Sequence, residues 1–246
     1  YTSATEITED KTITEGTYDS KTAEENTISV DGDINVDLEN LTVTKSGDST
    51  SGDNSNFYGT NSAIIAKNKA NLTLKNITVN TTGDGANGVF SYGGSATTNN
   101  SSTDNTTVNI NDSKITTTGD NAGGIMTTGG GITNATNLTI NTSGTSSAAI
   151  RTGRGGGTVT VNKGTYTTTG KGSPAIYSTA NVSVSNAKLI AKASEGVVIE
   201  GANSITLDNC DLTDTNNQLN GQSTTYKNIF LYQSMSGDAS NGNATF

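Results

Sequence analysis

Two arginines lie three residues apart in a glycine-rich stretch, AIRTGRGGG at residues 149–157, and they are the only arginines in the chain. A guanidinium pairs in a forked geometry with carboxylate or phosphate groups, so this stretch is a candidate anion site. A phosphate-binding glycine loop, however, leads into the first turn of a helix. Here the glycines lead into a strand pattern that begins at Thr158. We therefore expect Arg154 to belong to a turn, and Arg151 to stack on Tyr177 or to hold an acidic sugar.

Three aspartates also recur at a fixed spacing: Asp48, Asp84 and Asp120 each follow a glycine and lie 36 residues apart. Carboxylates stacked about 5 Å apart repel each other by roughly 1 kcal/mol even in water. A calcium ion with oxygen ligands would relieve this repulsion, and Asp53 in the adjoining loop is a further candidate ligand. The sequence thus predicts calcium as a possible cofactor. The alternative is that these aspartates cap the backbone of their own turns.

The composition excludes several classes of chemistry. The chain has 246 residues, no histidine and a single cysteine, so histidine-based acid–base catalysis is ruled out and a zinc site has few ligands. The formal net charge of −9 argues against a nucleic-acid partner. No apolar run approaches the roughly 18 residues of a membrane span, so membrane insertion is not expected.

An internal repeat predicts how these residues are positioned. The segment VDLENLTV at residues 36–43 matches LTLKNITV at 72–79, and related segments begin at 108, 159, 182 and 205. Each unit has two strands of alternating polarity that meet at an asparagine, aspartate or lysine, residues that tolerate a left-handed φ. A glycine turn and a third apolar strand follow. The pattern predicts an all-β parallel solenoid of about eight turns, with three strands per turn.

The pattern resembles the bacterial right-handed parallel β-helix proteins over nearly the whole chain. The bends at Asn40, Asn76, Asn186 and Asn209 look like the asparagine ladder of that group. Within it the chain is most similar to the secreted, clostridial-type β-helix carbohydrate-binding and adhesin-like proteins, which implies binding of plant polysaccharide and calcium. We expect one domain over residues 1–246, with residues 1–32 as an N-terminal capping turn and an open C-terminal end that could continue beyond 246.

The third strand is expected to present an unusual outward surface. If Ile64 and Ile150 point inward, the residues after them point outward. One predicted outward column is Ile65, Phe90, Met126, Arg151, Tyr177, Ile199 and Phe230, and a second is Lys67, Tyr92, Thr128, Gly153, Thr179, Gly201 and Tyr232. An apolar surface of this extent marks an interaction site unless something buries it. Loops at 47–60, 93–105 and 214–226 could cover it, wholly or leaving a groove open, or it could bind a glycan, a peptide or another protein.

These features predict a non-catalytic, secreted or cell-surface protein that binds polysaccharide, either a plant cell-wall glycan or an acidic glycan. The expected ligand contacts are Phe90, Tyr92, Met126, Arg151, Tyr177, Phe230 and Tyr232. One alternative is a structural or adhesive solenoid that associates end to end or binds a protein partner. A lesser alternative is a pectate-lyase-like polysaccharide lyase that uses Arg151. Against an enzyme, Glu200 is the only acid of a third strand, and it is expected to point inward.

Overall fold

A computed structural model describes residues 1–97, 103–221 and 223–246. Parts of two predicted loops, residues 98–102 and residue 222, lie outside the described residues. The described chain contains one short helical turn, Asn54–Tyr58, and β-strands throughout. The strands are β1 (Ser3–Ile7), β2 (Lys11–Ile13), β3 (Gly16–Ser20), β4 (Asn26–Asp31), β5 (Asn35–Glu39), β6 (Leu41–Lys45), β7 (Ile64–Lys67), β8 (Asn71–Lys75), β9 (Thr78–Thr81), β10 (Val89–Tyr92), β11 (Thr107–Asn111), β12 (Lys114–Thr117), β13 (Ile125–Thr128), β14 (Gly131–Thr142), β15 (Ile150–Thr152), β16 (Gly157–Thr168), β17 (Ile176–Ser178), β18 (Asn181–Ala191), β19 (Val197–Glu200), β20 (Ser204–Asp208), β21 (Asp211–Asp214) and β22 (Ile229–Tyr232).

The strands form two parallel sheets, which confirms the predicted all-β, solenoid-like architecture. The third strand of each repeat joins a nine-stranded sheet in the order β1-β4-β7-β10-β13-β15-β17-β19-β22. The first and second strands of each repeat form the other sheet, in which β14, β16 and β18 are long enough to run through both positions. Successive strands in each sheet come from successive repeats, so every repeat satisfies the backbone hydrogen bonds of its neighbours.

The bends between the first and second strands have the predicted left-handed conformation. The φ angle is 56° at Asn40, 51° at Asn76 and 55° at Asn186. The side chains also bond from one repeat to the next, because Asn76 Nδ2 donates to Asn40 Oδ1 at 2.6 Å and Asn209 Nδ2 donates to Asn186 Oδ1 at 2.7 Å. Each bend amide therefore satisfies part of its neighbour's hydrogen-bonding capacity and aligns the two repeats.

A column of glycines marks the turn after the second strand: Gly47, Gly83, Gly119, Gly144 and Gly170. The reason for glycine here is close approach of the backbone, not an unusual φ. A Cβ on Gly144 would lie 1.8 Å from the carbonyl oxygen of Gly119, and one on Gly170 would lie 1.7 Å from that of Gly144. A side chain at either position would collide with the turn stacked beneath it.

The interior between the sheets is a narrow stack of aliphatic side chains. Columns such as Val36, Leu72 and Val108 are at most 1% exposed, and Tyr166 is the largest fully buried side chain. Because each repeat buries alternate residues of its strands, a chain with only 30% hydrophobic residues still forms a continuous core.

The register of the last turns differs from the prediction by one residue. Tyr177 pairs with Val198, and Glu200 pairs with Tyr232. Val198 and Glu200 therefore take the outward positions that were assigned to Ile199 and Gly201. Ile199 is fully buried in the core. The prediction that Glu200 points inward was wrong, because a one-residue shift moves each side chain to the opposite face of a strand.

Candidate functional site

The outward surface of the nine-stranded sheet, called the outer face below, is covered at its N-terminal part. Ile65, Phe90 and Met126 point away from the main core, yet they are fully buried in a small cluster of their own. Residues 48–60, the cover loop, lie over them. A Cβ on Gly59 of this loop would lie 2.8 Å from the Phe90 ring, and Thr128 Oγ1 donates to the Phe57 carbonyl at 2.7 Å. The cover loop therefore buries this part of the outer face.

The carboxylate of Glu24 holds the cover loop in place from the neighbouring repeat. It accepts hydrogen bonds from the Ser49 hydroxyl at 2.7 Å and the Thr60 hydroxyl at 2.8 Å, near the two ends of the loop. The backbone N–H groups of Thr50 and Ser51 donate to the same carboxylate. These bonds to the ionised form keep the pKa of Glu24 below its usual value, although burial acts in the opposite direction and is the largest single influence.

Three of the predicted ligand contacts lie within or beside the covered part. Phe90 and Met126 have no exposed surface, so we leave them out of the candidate site. Tyr92 is half-buried and packs edge-on against Tyr58 of the cover loop, with ring centroids 5.8 Å apart. Burial raises the pKa of the Tyr92 hydroxyl. Tyr92 therefore supports the loop at its margin.

An open groove of about 760 Å³ lies on the outer face beyond the cover loop. Its apolar surface comes from strands β17, β19 and β22 and consists of Tyr177, Val198, Phe230 and Tyr232. Its polar surface comes mainly from the connection after β21 and the turn before β19, and it includes Ser194, Glu195, Asn220, Ser223, Thr224, Thr225 and Lys227, while the turn before β17 adds Gly172 and Pro174. A concave site with an apolar floor and several hydrogen-bonding groups is the usual form of a ligand site.

Glu200 organises one end of this groove. Its side chain is 2% exposed and accepts hydrogen bonds from the hydroxyls of Tyr177, Tyr232, Ser234 and Ser236. Burial, together with the nearby charge of Glu200, raises the pKa of Tyr177 well above its usual range and that of Tyr232 to about 12. Both tyrosines are therefore neutral donors at ordinary pH. Sequence reasoning missed this cluster because it placed Glu200 on the opposite face.

The two aromatic rings of β22 stack on each other, and Phe230 also carries a cation. Phe230 and Tyr232 stack with centroids 4.8 Å apart and an interplanar angle of 10°. The ammonium group of Lys227 lies 4.8 Å from the Phe230 centroid, a cation–π contact. The expected stacking of sugar rings on an aromatic ladder is thus unavailable at Phe230. What the stack supplies is a rigid apolar wall with a cation beside it.

Arg151 lies in a second cavity of about 250 Å³ that adjoins the groove, with Tyr177 and Asn220 lining both. Its guanidinium makes only long hydrogen bonds, at 3.4 Å to Asn56 Oδ1 and 3.3 Å to the Ser146 carbonyl. Within the described part of the chain, no carboxylate lies within ion-pairing distance of it. Burial lowers the pKa of Arg151, but an arginine stays protonated. The guanidinium therefore faces the cavity without a carboxylate in direct contact, although Asp238 lines the same cavity and acts on it from beyond ion-pairing distance.

Arg154, by contrast, has its partners within the protein. Its Nε donates to Asp238 Oδ1 at 2.7 Å, and Nη1 lies 3.6 Å from Asp53 Oδ2. The guanidinium also lies 4.0 Å from the Phe57 ring centroid. Arg154 therefore ties the cover loop to the C-terminal segment, and Asp53, a predicted calcium ligand, is engaged by this arginine.

The three spaced aspartates form a ladder of backbone contacts. Asp48 Oδ1 accepts the Asp84 N–H at 2.8 Å, Asp84 Oδ1 accepts the Asp120 N–H at 2.9 Å, and Asp120 Oδ1 accepts the Thr145 N–H at 2.8 Å. Among the described residues, no three acidic, histidine or cysteine side chains are grouped to hold a metal ion. Calcium binding stays a prediction that the arrangement of these side chains does not support.

Fold and site together describe a parallel β-solenoid-like protein with a partly covered outer face, an open groove lined by Lys227, and an adjoining cavity that holds Arg151. The chain has no significant match among protein-family models, curated proteins or solved structures. None of the helical residues in the described ranges forms a span long and apolar enough to cross a membrane.

Proposed function

We propose that this protein is a non-catalytic, secreted or cell-surface β-helix that binds an acidic polysaccharide in the open groove. In this proposal Arg151 recognises a sugar carboxylate, and Tyr177, Asn220 and Lys227 contact the neighbouring sugar units. The proposal includes the finer features predicted from the sequence: about eight turns, the right-handed winding usual for parallel crossovers, and a similarity to clostridial-type carbohydrate-binding proteins.

The observation that carries the proposal is the half-buried Arg151 guanidinium without an ion-pairing partner in the described residues. Burial of a charge is costly unless an opposite charge compensates it. The carboxylate of a uronic acid would supply that charge in a forked geometry. Lys227 is a second cation, on the groove itself, and its Nζ donates a hydrogen bond to the Thr225 carbonyl at 3.0 Å. In a protein with a net charge of −9, Lys227 thus lines the groove and Arg151 the adjoining cavity, although the groove also includes the carboxylate of Glu195 and the cavity that of Asp238.

Replacing Arg151 with glutamine is expected to weaken binding to polygalacturonate by roughly 10- to 100-fold, the range for losing a charged hydrogen bond. Binding by the unmodified protein should also weaken as salt is added, because salt screens the exposed part of this attraction. Affinity electrophoresis in gels that contain polygalacturonate measures both effects. Neutral galactan serves as the comparison, because it offers a related sugar chain without the carboxylate.

Lys114→Gln is the matched control, since it removes one exposed positive charge from β12 of the other sheet. It should leave retention unchanged. Equal retention of the Arg151→Gln variant would contradict the proposed role of Arg151, and no retention of the unmodified protein on any glycan would contradict the function. Parallel gels with EDTA test calcium, and absorbance from unsaturated products tests the lyase alternative.

A second candidate function, self-association, is favoured by a different observation. Ile229 and Leu231 are 40% and 42% exposed, although they lie in register with the buried core residues Val197 and Ile199. Core columns of the solenoid are thus accessible at β22, the last strand of its sheet, and such an edge favours pairing with another chain. Ile229→Lys is expected to abolish any concentration-dependent assembly seen by sedimentation. Purely monomeric behaviour of the unmodified protein at high concentration would exclude this candidate.

A further inference from the structure

A buried lysine near the N-terminal end of the solenoid has no counterpart in the later repeats. Lys45 ends β6 and is 1% exposed. The next four positions in the same column are threonine, namely Thr81, Thr117, Thr142 and Thr168, and the column then continues with Ala191 and Asp214. In three of these threonines the hydroxyl donates to a backbone carbonyl across the turn, as Thr117 does to Ala122 at 2.7 Å. The fold therefore accepts threonine at this position and does not require a lysine.

The Lys45 amine and a buried asparagine side chain converge on one backbone oxygen. Lys45 Nζ donates to the Gly47 carbonyl at 3.0 Å and to the Thr22 carbonyl at 2.7 Å. Asn61 Nδ2 donates to the same Gly47 oxygen at 2.9 Å. Asn61 is fully buried, and its Oδ1 has no hydrogen-bond partner in the described part of the chain. An amine and a carboxamide thus lie together in a site closed to water.

A carboxylate from the preceding repeat lies beside this pair. Ser20, the strand partner of Lys45, donates its hydroxyl to Glu25 Oε2 at 2.6 Å. Asn26, the residue after Glu25, accepts the N–H of Ser62, the residue after Asn61, at 2.7 Å. The first contact brings the Glu25 carboxylate to the strand partner of Lys45, and the second pairs the segment that holds Glu25 with the segment that holds Asn61.

The electrostatics of the cluster favour a nucleophilic amine. Burial lowers the pKa of the Lys45 ammonium group, while Glu25 is the strongest of the acidic neighbours that oppose this effect. Desolvation is a general way to activate a lysine, because it favours the neutral amine over the ammonium ion.

We propose that Lys45 and Asn61 become joined by an intramolecular amide bond, with Glu25 as the proton carrier. The neutral Nζ attacks Cγ of Asn61, so that the Nζ–Cγ bond forms and the Cγ–Nδ2 bond breaks. Glu25 takes the proton that Nζ loses and delivers it to the departing Nδ2, which leaves as ammonia. The reaction needs no oxidant and no cofactor.

The bond would close the base of the cover loop. It joins residues on either side of positions 48–60, so the loop over Phe90 and Met126 would be attached covalently at both ends. Cross-linking of this kind reduces the conformational freedom of the unfolded chain.

Mass spectrometry of the folded, full-length chain tests the proposal. The intact mass should be lower than the sequence mass by one ammonia, and peptide mapping should recover a branched peptide that links Lys45 to Asn61. Lys45→Thr, which installs the residue of the next four repeats, should fold and show its full sequence mass. Glu25→Gln should fold and form the bond slowly or not at all. Lys75→Thr, an exposed lysine of β8, should keep the mass deficit.

Two results would overturn the proposal. One is a full sequence mass with Lys45 and Asn61 recovered in separate linear peptides. The other is a deficit of one ammonia that persists in Lys45→Thr, because asparagine followed by glycine, as at Asn220-Gly221, also loses ammonia by forming a succinimide. Mild base hydrolyses a succinimide to aspartate or isoaspartate and leaves an amide bond intact, so the two products are distinguishable.

Discussion

Gly144→Ala is expected to destabilise the protein by more than about 3 kcal/mol, at or above the upper end of ordinary overpacking effects. The new Cβ would lie 1.8 Å from the Gly119 carbonyl oxygen, which belongs to the adjacent turn of the stack. Neither backbone can move away without breaking hydrogen bonds to a further repeat. Since a domain of this kind is stable by only about 5–15 kcal/mol, we expect a large fall in the urea concentration at half-unfolding, measured by circular dichroism.

Gly52→Ala is the matched control for this prediction. No atom lies within 4 Å of a Cβ built at Gly52. The substitution should change stability by less than about 0.5 kcal/mol, as is usual for open surface positions. If the two variants unfolded at the same urea concentration, the close stacking of the glycine column would not be a constraint on the fold.

Glu200→Leu is expected to give the second large effect, on both stability and groove binding. The substitution keeps a similar volume but removes the acceptor for four hydroxyls, including those of Tyr177 and Tyr232. A desolvated donor left without a partner costs about 1–3 kcal/mol, which applies to the two tyrosine hydroxyls, whereas the exposed Ser236 can bond water instead. We expect a lower unfolding midpoint, faster proteolysis near Ser234 and Ser236, and loss of retention on polygalacturonate.

Two further variants distinguish the loss of these hydrogen bonds from the effect of replacing any carboxylate with leucine. Glu200→Gln keeps one acceptor oxygen and the side-chain shape, so its effects should be clearly smaller. Glu9→Leu replaces an exposed carboxylate by the same apolar residue and should leave stability and binding nearly unchanged. An unfolding midpoint for Glu200→Leu equal to that of Glu9→Leu would refute the organising role of Glu200.

The repeat alone predicted the elements that each unit needs in order to stack. Asn40, Asn76 and Asn186 were recognised because only a few residue types tolerate a left-handed φ, and they have it. The inward column through Ile64, Val89 and Ile125 follows from strict alternation along short strands. The φ tolerance of asparagine and the alternation along a strand were sufficient to predict these features, because each repeat stacks mainly on its neighbours.

The register error at Glu200 has a local cause that alternation cannot reveal. Six residues separate Ala191 from Val197, whereas eight separate the equivalent positions Thr168 and Ile176. With an unchanged turn the partner of Tyr177 would be Glu200; the expected pairing with Ile199 allowed for one missing residue, whereas two are missing and the structure pairs Tyr177 with Val198. A shift of one residue in the assumed alignment was enough to place a buried carboxylate in the wrong layer.

The cover over the outer face depends on contacts between distant residues. Arg154 bonds Asp238, which lies 84 residues further along the chain, and Thr128 bonds the Phe57 carbonyl across 71 residues. The loops that make these contacts have no periodic pattern. The sequence therefore identified the aromatic and cationic residues of the face, but not which of them are covered.

The glycine column and the asparagine bends together restrict how a chain of this kind can change in size. Equivalent bends are separated by 36 residues near the start and by 23 near the end, yet both spacings support the same side-chain bond. The surplus residues lie outside the stacked positions. An insertion in a connecting loop leaves every contact in the stack in place, whereas an insertion in a strand displaces all that follow it. Length along the axis can therefore change only in steps of one strand spacing, about 4.8 Å, while the shape of the surface can vary one residue at a time.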